Sequence, residues 1–147
     1  MKINIPKLVM LALSGLLIVP LALLNGCIGQ EDTDSEAQII EDVTLEEAYA
    51  LIVDNLPNPD FIIIDVRTPE EYAEGHIEKA INLDFYSETF AAELDKLDKD
   101  KTYLIYCRTA NRSGQALDMM AELGFIEVYN MLGGTLRWKA VGLPLLK

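Results

Sequence analysis

Short, unbroken apolar runs alternate along this chain with amphipathic segments, and that alternation restricts the fold more than any other feature. Phe61-Ile-Ile-Ile-Asp65-Val66 and Thr102–Tyr106 are apolar almost throughout instead of at every second residue. That is the pattern of strands covered on both faces. Before the first run, Thr44-Leu-Glu-Glu47 forms a capping box, and Leu45, Ala48, Tyr49, Ile52, Val53 and Leu56 follow at helical spacing. Thr68-Pro-Glu-Glu71 opens a second, short helix with Pro69 at its first position. Ala80–Asp84 reads as a short strand, and Ser87–Leu97 as a helix with Phe90, Leu94 and Leu97 turned inward. A further helix carries Ala116, Leu117, Met119, Met120 and Leu123 on one arc and stops at Gly124. Phe125–Leu132 reads as the last strand, after which Gly133-Gly134 opens a helix around Thr135–Val141. Strands alternating with helices predict an α/β fold, a central parallel sheet flanked by helices on both faces. In that class the reactive crevice lies beyond the C-terminal ends of the strands.

One cysteine falls at such an end. In Tyr103-Leu-Ile-Tyr-Cys107-Arg-Thr-Ala-Asn-Arg112-Ser-Gly, an apolar strand stops on Cys107, a short polar loop follows, and a helix begins. The arrangement aims backbone N–H groups and the positive end of a helix at one sulfur, which favours the thiolate and any anion that meets it. A strand-end cysteine can equally be an inert small hydrophobe. Arg108 and Arg112 tilt the balance to a reactive thiol, since a structural cysteine needs no positive charge beside it.

The N-terminus is of a different kind. Lys2 and Lys7 precede an apolar run from Leu8 to Leu24, which ends in Leu24-Asn-Gly-Cys27. A basic start, a modest apolar stretch and a small residue at the cut describe a secretory signal. The last four residues resemble the lipobox of prokaryotic lipoproteins, in which the cysteine is diacylated and becomes the mature N-terminus. The resemblance implies a signal peptide over residues 1–26, lipid on Cys27, and an extracytoplasmic, membrane-anchored protein. An uncleaved signal anchor is the alternative, although the run contains Pro20 and falls short of a comfortable span. Residues 27–40 read as the lipidated cysteine and an acidic flexible linker, and 41–147 as the folded domain.

This bears on the second cysteine. If Cys27 carries lipid, Cys107 is left as an unpaired thiol; otherwise a Cys27–Cys107 disulfide is open. Two cysteines and one histidine so widely separated match no zinc spacing, so no metal is expected. Loss of the signal removes Lys2 and Lys7, leaving 10 basic residues against 24 acidic ones, a net charge of −14. Nucleic acid is excluded as a natural partner.

Four stretches together resemble the rhodanese (thiosulfate sulfurtransferase) family. They are Ile64-Asp65-Val66-Arg67 with Glu70-Glu71-Tyr72; Gly75-His76-Ile77 through Ala80-Ile-Asn82-Leu; Cys107-Arg-Thr-Ala-Asn-Arg112-Ser; and Gly133-Gly-Thr-Leu-Arg-Trp138 with Gly142-Leu-Pro144. The resemblance implies a rhodanese-like fold and a cysteine, here Cys107, that accepts the outer sulfur of a thiosulfate-like donor as a persulfide. It then passes that sulfur to cyanide or a thiol, and a thioredoxin-like protein is one such thiol acceptor. The amides of Arg108, Thr109, Ala110, Asn111, Arg112 and Ser113 would cradle the anion and then the persulfide. The two arginines would attract the donor and lower the Cys107 pKa. No cofactor is implied.

Two further chemistries compete. Tyrosine phosphatases, and phosphatases built on the rhodanese fold, have five residues between cysteine and arginine, whereas four lie between Cys107 and Arg112 and Tyr106 precedes the cysteine. The smaller ring suits sulfur better than phosphate or arsenate. A sulfur carrier or redox-sensing module, loading once for a dedicated partner, would use the same residues. Among the rest, Asp65 and Arg67 end a central strand on the reactive side, where Asp65 would accept from loop amides and Arg67 would pair with a carboxylate in support of the site. His76 and Trp138 read as structural residues.

Overall fold

The computed structural model describes residues 37–147. The expected signal peptide, Cys27 and most of the expected acidic linker lie outside the described residues. Ten elements follow in the order β1 (Ile39–Val43), α1 (Leu45–Asn55), β2 (Phe61–Asp65), α2 (Pro69–Glu74), β3 (Ile81–Asn82), α3 (Phe90–Asp95), β4 (Thr102–Tyr106), α4 (Asn111–Glu122), β5 (Glu127–Met131) and α5 (Gly134–Ala140). The strands pair in parallel in the order β1-β5-β4-β2-β3, so β4 is central and Cys107 follows directly at its C-terminal end.

Side-chain alternation along the strands builds two cores. Ile64 and Val66 around β2, with Tyr103, Ile105 and Cys107 around β4, pack with Phe90 and Leu94 of α3 and Ala116, Leu117 and Met120 of α4. Ile63, Leu104, Tyr106 and Met131 point the other way, toward Leu45, Ala48 and Ile52 of α1 and Trp138 of α5. Both faces of the sheet are therefore covered, which explains why the strands are apolar without a break. The chain leaves β4 toward one face through α4 and leaves β5 toward the other through α5. The carboxyl ends of these strands thus open a crevice of the kind in which α/β folds bind ligands.

Several boundaries differ from the sequence reading, among them β3, which is confined to Ile81–Asn82, and three have a clear physical cause. The linker does not run to residue 40: Ile39 and Ile40 already belong to β1, paired with Glu127 and Val128, and the Gln38 side chain donates to the carbonyls of Ala121 and Phe125. A two-residue apolar signal followed by acidic residues is too short to mark an edge strand in advance. The helix expected over Ser87–Leu97 is confined to Phe90–Asp95. Ser87 and Thr89 hydrogen-bond through their own hydroxyls, and the Thr89 amide donates to Ser87 Oγ, a local alternative to helical pairing. Phe125 and Ile126 precede β5 without joining it, because the Phe125 amide donates to Met120 O while that of Gly124 donates to Ala121 O. This Schellman closure of α4 places Gly124 in the left-handed region at φ 85°, as a helix-ending glycine requires.

Candidate active site

The loop after β4 turns its amides inward around Cys107 Sγ. The Ala110 amide donates to the sulfur at 3.2 Å and the Ser113 hydroxyl at 3.5 Å. The amides of Thr109 and Ser113 also favour the thiolate of the same atom. Ala110 attains this position only by adopting the left-handed region at φ 83°, one of two non-glycine residues among those described that do so. Such backbone persists where surrounding structure over-determines it. Ala110 also caps α4, whose first-turn amides have no intrahelical carbonyl to bond and so add their dipoles to the ring.

Electrostatics at the sulfur follow from this geometry. Burial pushes the Cys107 thiol up, but the Ser113 hydroxyl and the amides of Ser113, Thr109 and Ala110 outweigh it, so the thiol lies below its ordinary value. Cys107 is 1% exposed and has no disulfide partner among the described residues. Its thiolate form is therefore shielded from solvent and favoured by neutral donors.

Arg112 has a structural part beside the one expected of it. Arg112 donates from Nη1 and Nη2 to both carboxylate oxygens of Glu71, at 2.6 and 2.9 Å, and its guanidinium lies 5.5 Å from the Tyr86 ring centre. Glu71 simultaneously closes the capping box of α2 with Thr68, so the fork ties the start of α4 to the start of α2. This hydrogen bonding holds the Glu71 carboxyl below the usual carboxylate range and raises Arg112. Arg112 is thereby largely compensated by Glu71, and its attraction to the Cys107 thiolate adds to that of Ser113 and the amides, the main stabilisers. Arg108 is exposed, with its side chain unpaired among the described residues, and lines the openings on both sides of the loop. Asn111 is exposed and accepts from the Gln115 side chain at 3.2 Å.

Carbonyls of the loop face away from the sulfur and are caught by α5. The Thr135 amide donates to Cys107 O at 2.9 Å and the Leu136 amide to Arg108 O at 3.1 Å. This contact demands glycine at residue 134. A Cβ there would stand 2.3 Å from Cys107 O and 2.6 Å from the Arg108 carbonyl carbon, and Gly134 also has a left-handed φ of 51°.

Asp65 and Arg67 pair with each other beneath the crevice. Arg67 Nε donates to Asp65 Oδ1 and Oδ2 at 2.9 and 3.0 Å, its amide donates to Oδ1, and Nη2 reaches Gly75 O at 2.7 Å. Both are almost fully buried, and neither touches the sulfur; they fix the β2–α2 turn and, through Gly75, the segment beyond it. His76 stacks on Tyr72 at 3.8 Å between ring centres, and its backbone exchanges hydrogen bonds with Leu146. Trp138 donates from Nε1 to Pro144 O and packs below α1, away from the loop.

No site role is expected of Glu71, Tyr86, Gly134, Thr135 or Lys139 from the sequence alone, yet all border the loop or its openings. The available signal for Glu71 was its place at the start of the helix that follows β2, whose end adjoins that of β4. For Gly134 it was the paired glycine, which marks a close backbone approach as readily as a helix start.

The rhodanese-like domain family model matches residues 44–141. This chain belongs to that family. Among curated relatives, the chain is 34% identical over 87 residues to a sulfurtransferase of Allochromatium vinosum, covering 59% of this chain and 79% of that one. It is 38% identical over 81 residues to the thiosulfate sulfurtransferase GlpE of Coxiella burnetii, covering 55% of this chain and 74% of that one. Among solved structures it is similar to a rhodanese-related protein from Thermoplasma volcanium, with TM-score 0.60 and 26% identity over 72% of this chain and 97% of the other. The rhodanese-like fold is thus established, with sulfurtransferases among its relatives.

Proposed function

We propose that this rhodanese-like protein is a thiosulfate sulfurtransferase that works through a persulfide on Cys107. The observation that carries the proposal is the ring of three amides and one hydroxyl around a sulfur whose thiol is lowered despite burial. The Cys107 thiolate attacks the outer sulfur of thiosulfate. A bond forms between Sγ and that sulfur, the sulfur–sulfur bond of the donor breaks, and its electron pair leaves on sulfite. Cys107 then carries an anionic persulfide, and the total charge is unchanged. No general base is needed, because the thiolate that the site favours is the attacking form and sulfite leaves without a proton. The amides that hold the thiolate, with the first-turn amides of α4 beside them, stabilise the negative outer sulfur. Arg108, exposed beside both openings, meets the sulfonate end of the donor.

The phosphatase reading draws no comparable support. Both terminal nitrogens of Arg112 donate to Glu71, which leaves that guanidinium less free to hold phosphate oxygens. On the N-terminal side, lipid on Cys27 would hold the domain at a membrane outside the cytoplasm, with the acidic linker as a tether.

The test is steady-state thiocyanate formation from thiosulfate and cyanide by the full-length protein in detergent, beside Cys107→Ser. Turnover that disappears in the variant supports the reading. Cys107-dependent hydrolysis of a phosphotyrosine analogue, with no thiocyanate, would replace it by the phosphatase. A sulfur adduct that forms but does not discharge to cyanide would replace it by a dedicated carrier.

A further inference from the structure

Beside the loop, a cleft of about 410 Å³ is lined by Arg67, Glu71, Glu74, Arg108, Leu136 and Lys139, with Thr135 at its edge. Its volume is within the range of small-molecule sites. It borders the loop that carries the reactive sulfur, since Arg108 follows Cys107 in that loop and the Thr135 amide donates to Cys107 O. The charges in it divide into two groups. Arg67 and Glu71 are spent on Asp65 and Arg112. Arg108, Lys139 and Glu74 are exposed and have no ion-pair partner among the described residues. The neighbouring Arg137 does not compete, being 3.5 Å from Glu46. Two free cations and one free carboxylate therefore face a single cleft next to Cys107, in a chain whose charge is otherwise strongly acidic.

We infer that this cleft is the acceptor subsite, and that it takes a small thiol bearing both a carboxylate and an ammonium group, an amino-acid thiol. The inference rests on the persulfide reading above and narrows its acceptor. A purely anionic thiol meets Glu74 without compensation, and a purely cationic one leaves Arg108 and Lys139 unmatched. A thiol with both groups answers each: its carboxylate lies toward Arg108 and Lys139, its ammonium toward Glu74. The acceptor thiol gives its proton to the anionic outer sulfur of the Cys107 persulfide, and its own sulfur attacks that outer sulfur. The bond from that sulfur to Sγ breaks, its electron pair returns to Cys107 as thiolate, and the proton stays on the new small-molecule persulfide. No oxidant or reductant is consumed. Lys139 and Glu74 act as specificity residues for the acceptor.

The test uses full-length protein in detergent, loaded with thiosulfate and discharged by cysteine, cysteamine, 3-mercaptopropionate or cyanide, with rates compared per thiolate. Cysteine is expected to exceed each singly charged thiol in kcat/KM by about threefold to tenfold, the scale of a partly exposed ion pair, and less so at high salt. Lys139→Gln should erase the advantage over cysteamine and Lys139→Arg restore it. Glu74→Gln should erase the advantage over 3-mercaptopropionate. Equal discharge by all three thiols, while cyanide still yields thiocyanate, overturns the subsite and leaves the persulfide reading intact. Discharge only to a thioredoxin-like protein, insensitive to both variants, likewise overturns it. Failure to release thiocyanate with cyanide removes the persulfide reading itself, and the subsite with it.

Discussion

Gly134→Ala is the perturbation whose consequence is best fixed by the geometry. The added methyl would lie 2.3 Å from Cys107 O, more than an ångström inside the 3.4 Å of ordinary contact, and the obstacle is backbone, which cannot swing aside as a side chain can. Holding alanine at φ 51° costs about 1–2 kcal/mol. To relieve the clash, α5 must withdraw from the loop, lengthening the hydrogen bonds from Thr135 N to Cys107 O and from Leu136 N to Arg108 O, at about 1 kcal/mol each. The total is about 3–4 kcal/mol. Gly124→Ala provides the reference. That glycine also has a left-handed φ, of 85°, but nothing lies within 4 Å of its would-be Cβ, so only the conformational cost of about 1–2 kcal/mol applies. Urea unfolding followed by the fluorescence of buried Trp138 measures the stabilities, and the pH dependence of Cys107 alkylation reports the loop. Gly134→Ala should lose about 2 kcal/mol more than Gly124→Ala, and its thiol should titrate higher because the amides no longer converge on sulfur. Equal stability of the two variants, with an unchanged Cys107 titration, would refute the claim that α5 fixes the loop.

Other perturbations act on single parts of the site. Ser113→Ala removes the hydroxyl that contributes most to holding the thiolate, so alkylation of Cys107 at neutral pH should slow several-fold and its titration shift upward. Asp65→Asn leaves the Arg67 guanidinium buried without its carboxylate; a loss of about 3–5 kcal/mol is expected in urea unfolding. An Asp65→Asn protein of unchanged stability would show that the pair has no structural role. Glu71→Gln breaks the fork to Arg112 and should cost about 1–2 kcal/mol, the pair being partly open to solvent. The Glu71 carboxyl is lowered on folding, so the unfolded chain binds its proton first. This part of the stability is complete above the ordinary glutamate value of about 4.3 and is lost as pH falls through the lower folded value. The variant should accordingly show a flatter acid limb in unfolding measured against pH.

The fold was largely legible because the strands buried on both faces leave a continuous apolar signature, and Thr44, Thr68 and Gly124 mark helix ends by side-chain or backbone chemistry that acts within a few residues. Edge strand β1 was not, since its pairing with β5 joins residues far apart in sequence and only one of its five residues is buried. Cys107 and its loop were visible for the same local reason: strand, turn and helix N-terminus are contiguous. The origin of the charge balance was not. The sequence places Arg112 beside Cys107, but only folding brings Glu71 across from α2 to take both of its terminal nitrogens. Likewise the paired Gly133-Gly134 announces a helix start, whereas the reason for the second glycine is a carbonyl 27 residues earlier.

The central claim is that the amide-lined Cys107 sulfur becomes the carrier of a transferred sulfur atom. The most direct measurement is the intact mass of the full-length protein after thiosulfate treatment and removal of excess donor, with the site located by digestion. A gain of one sulfur atom on the Cys107 peptide, absent in Cys107→Ser and reversed by cyanide, is the result expected. An unchanged mass, with Cys107 still titrating as a free thiol in the folded protein, would contradict it.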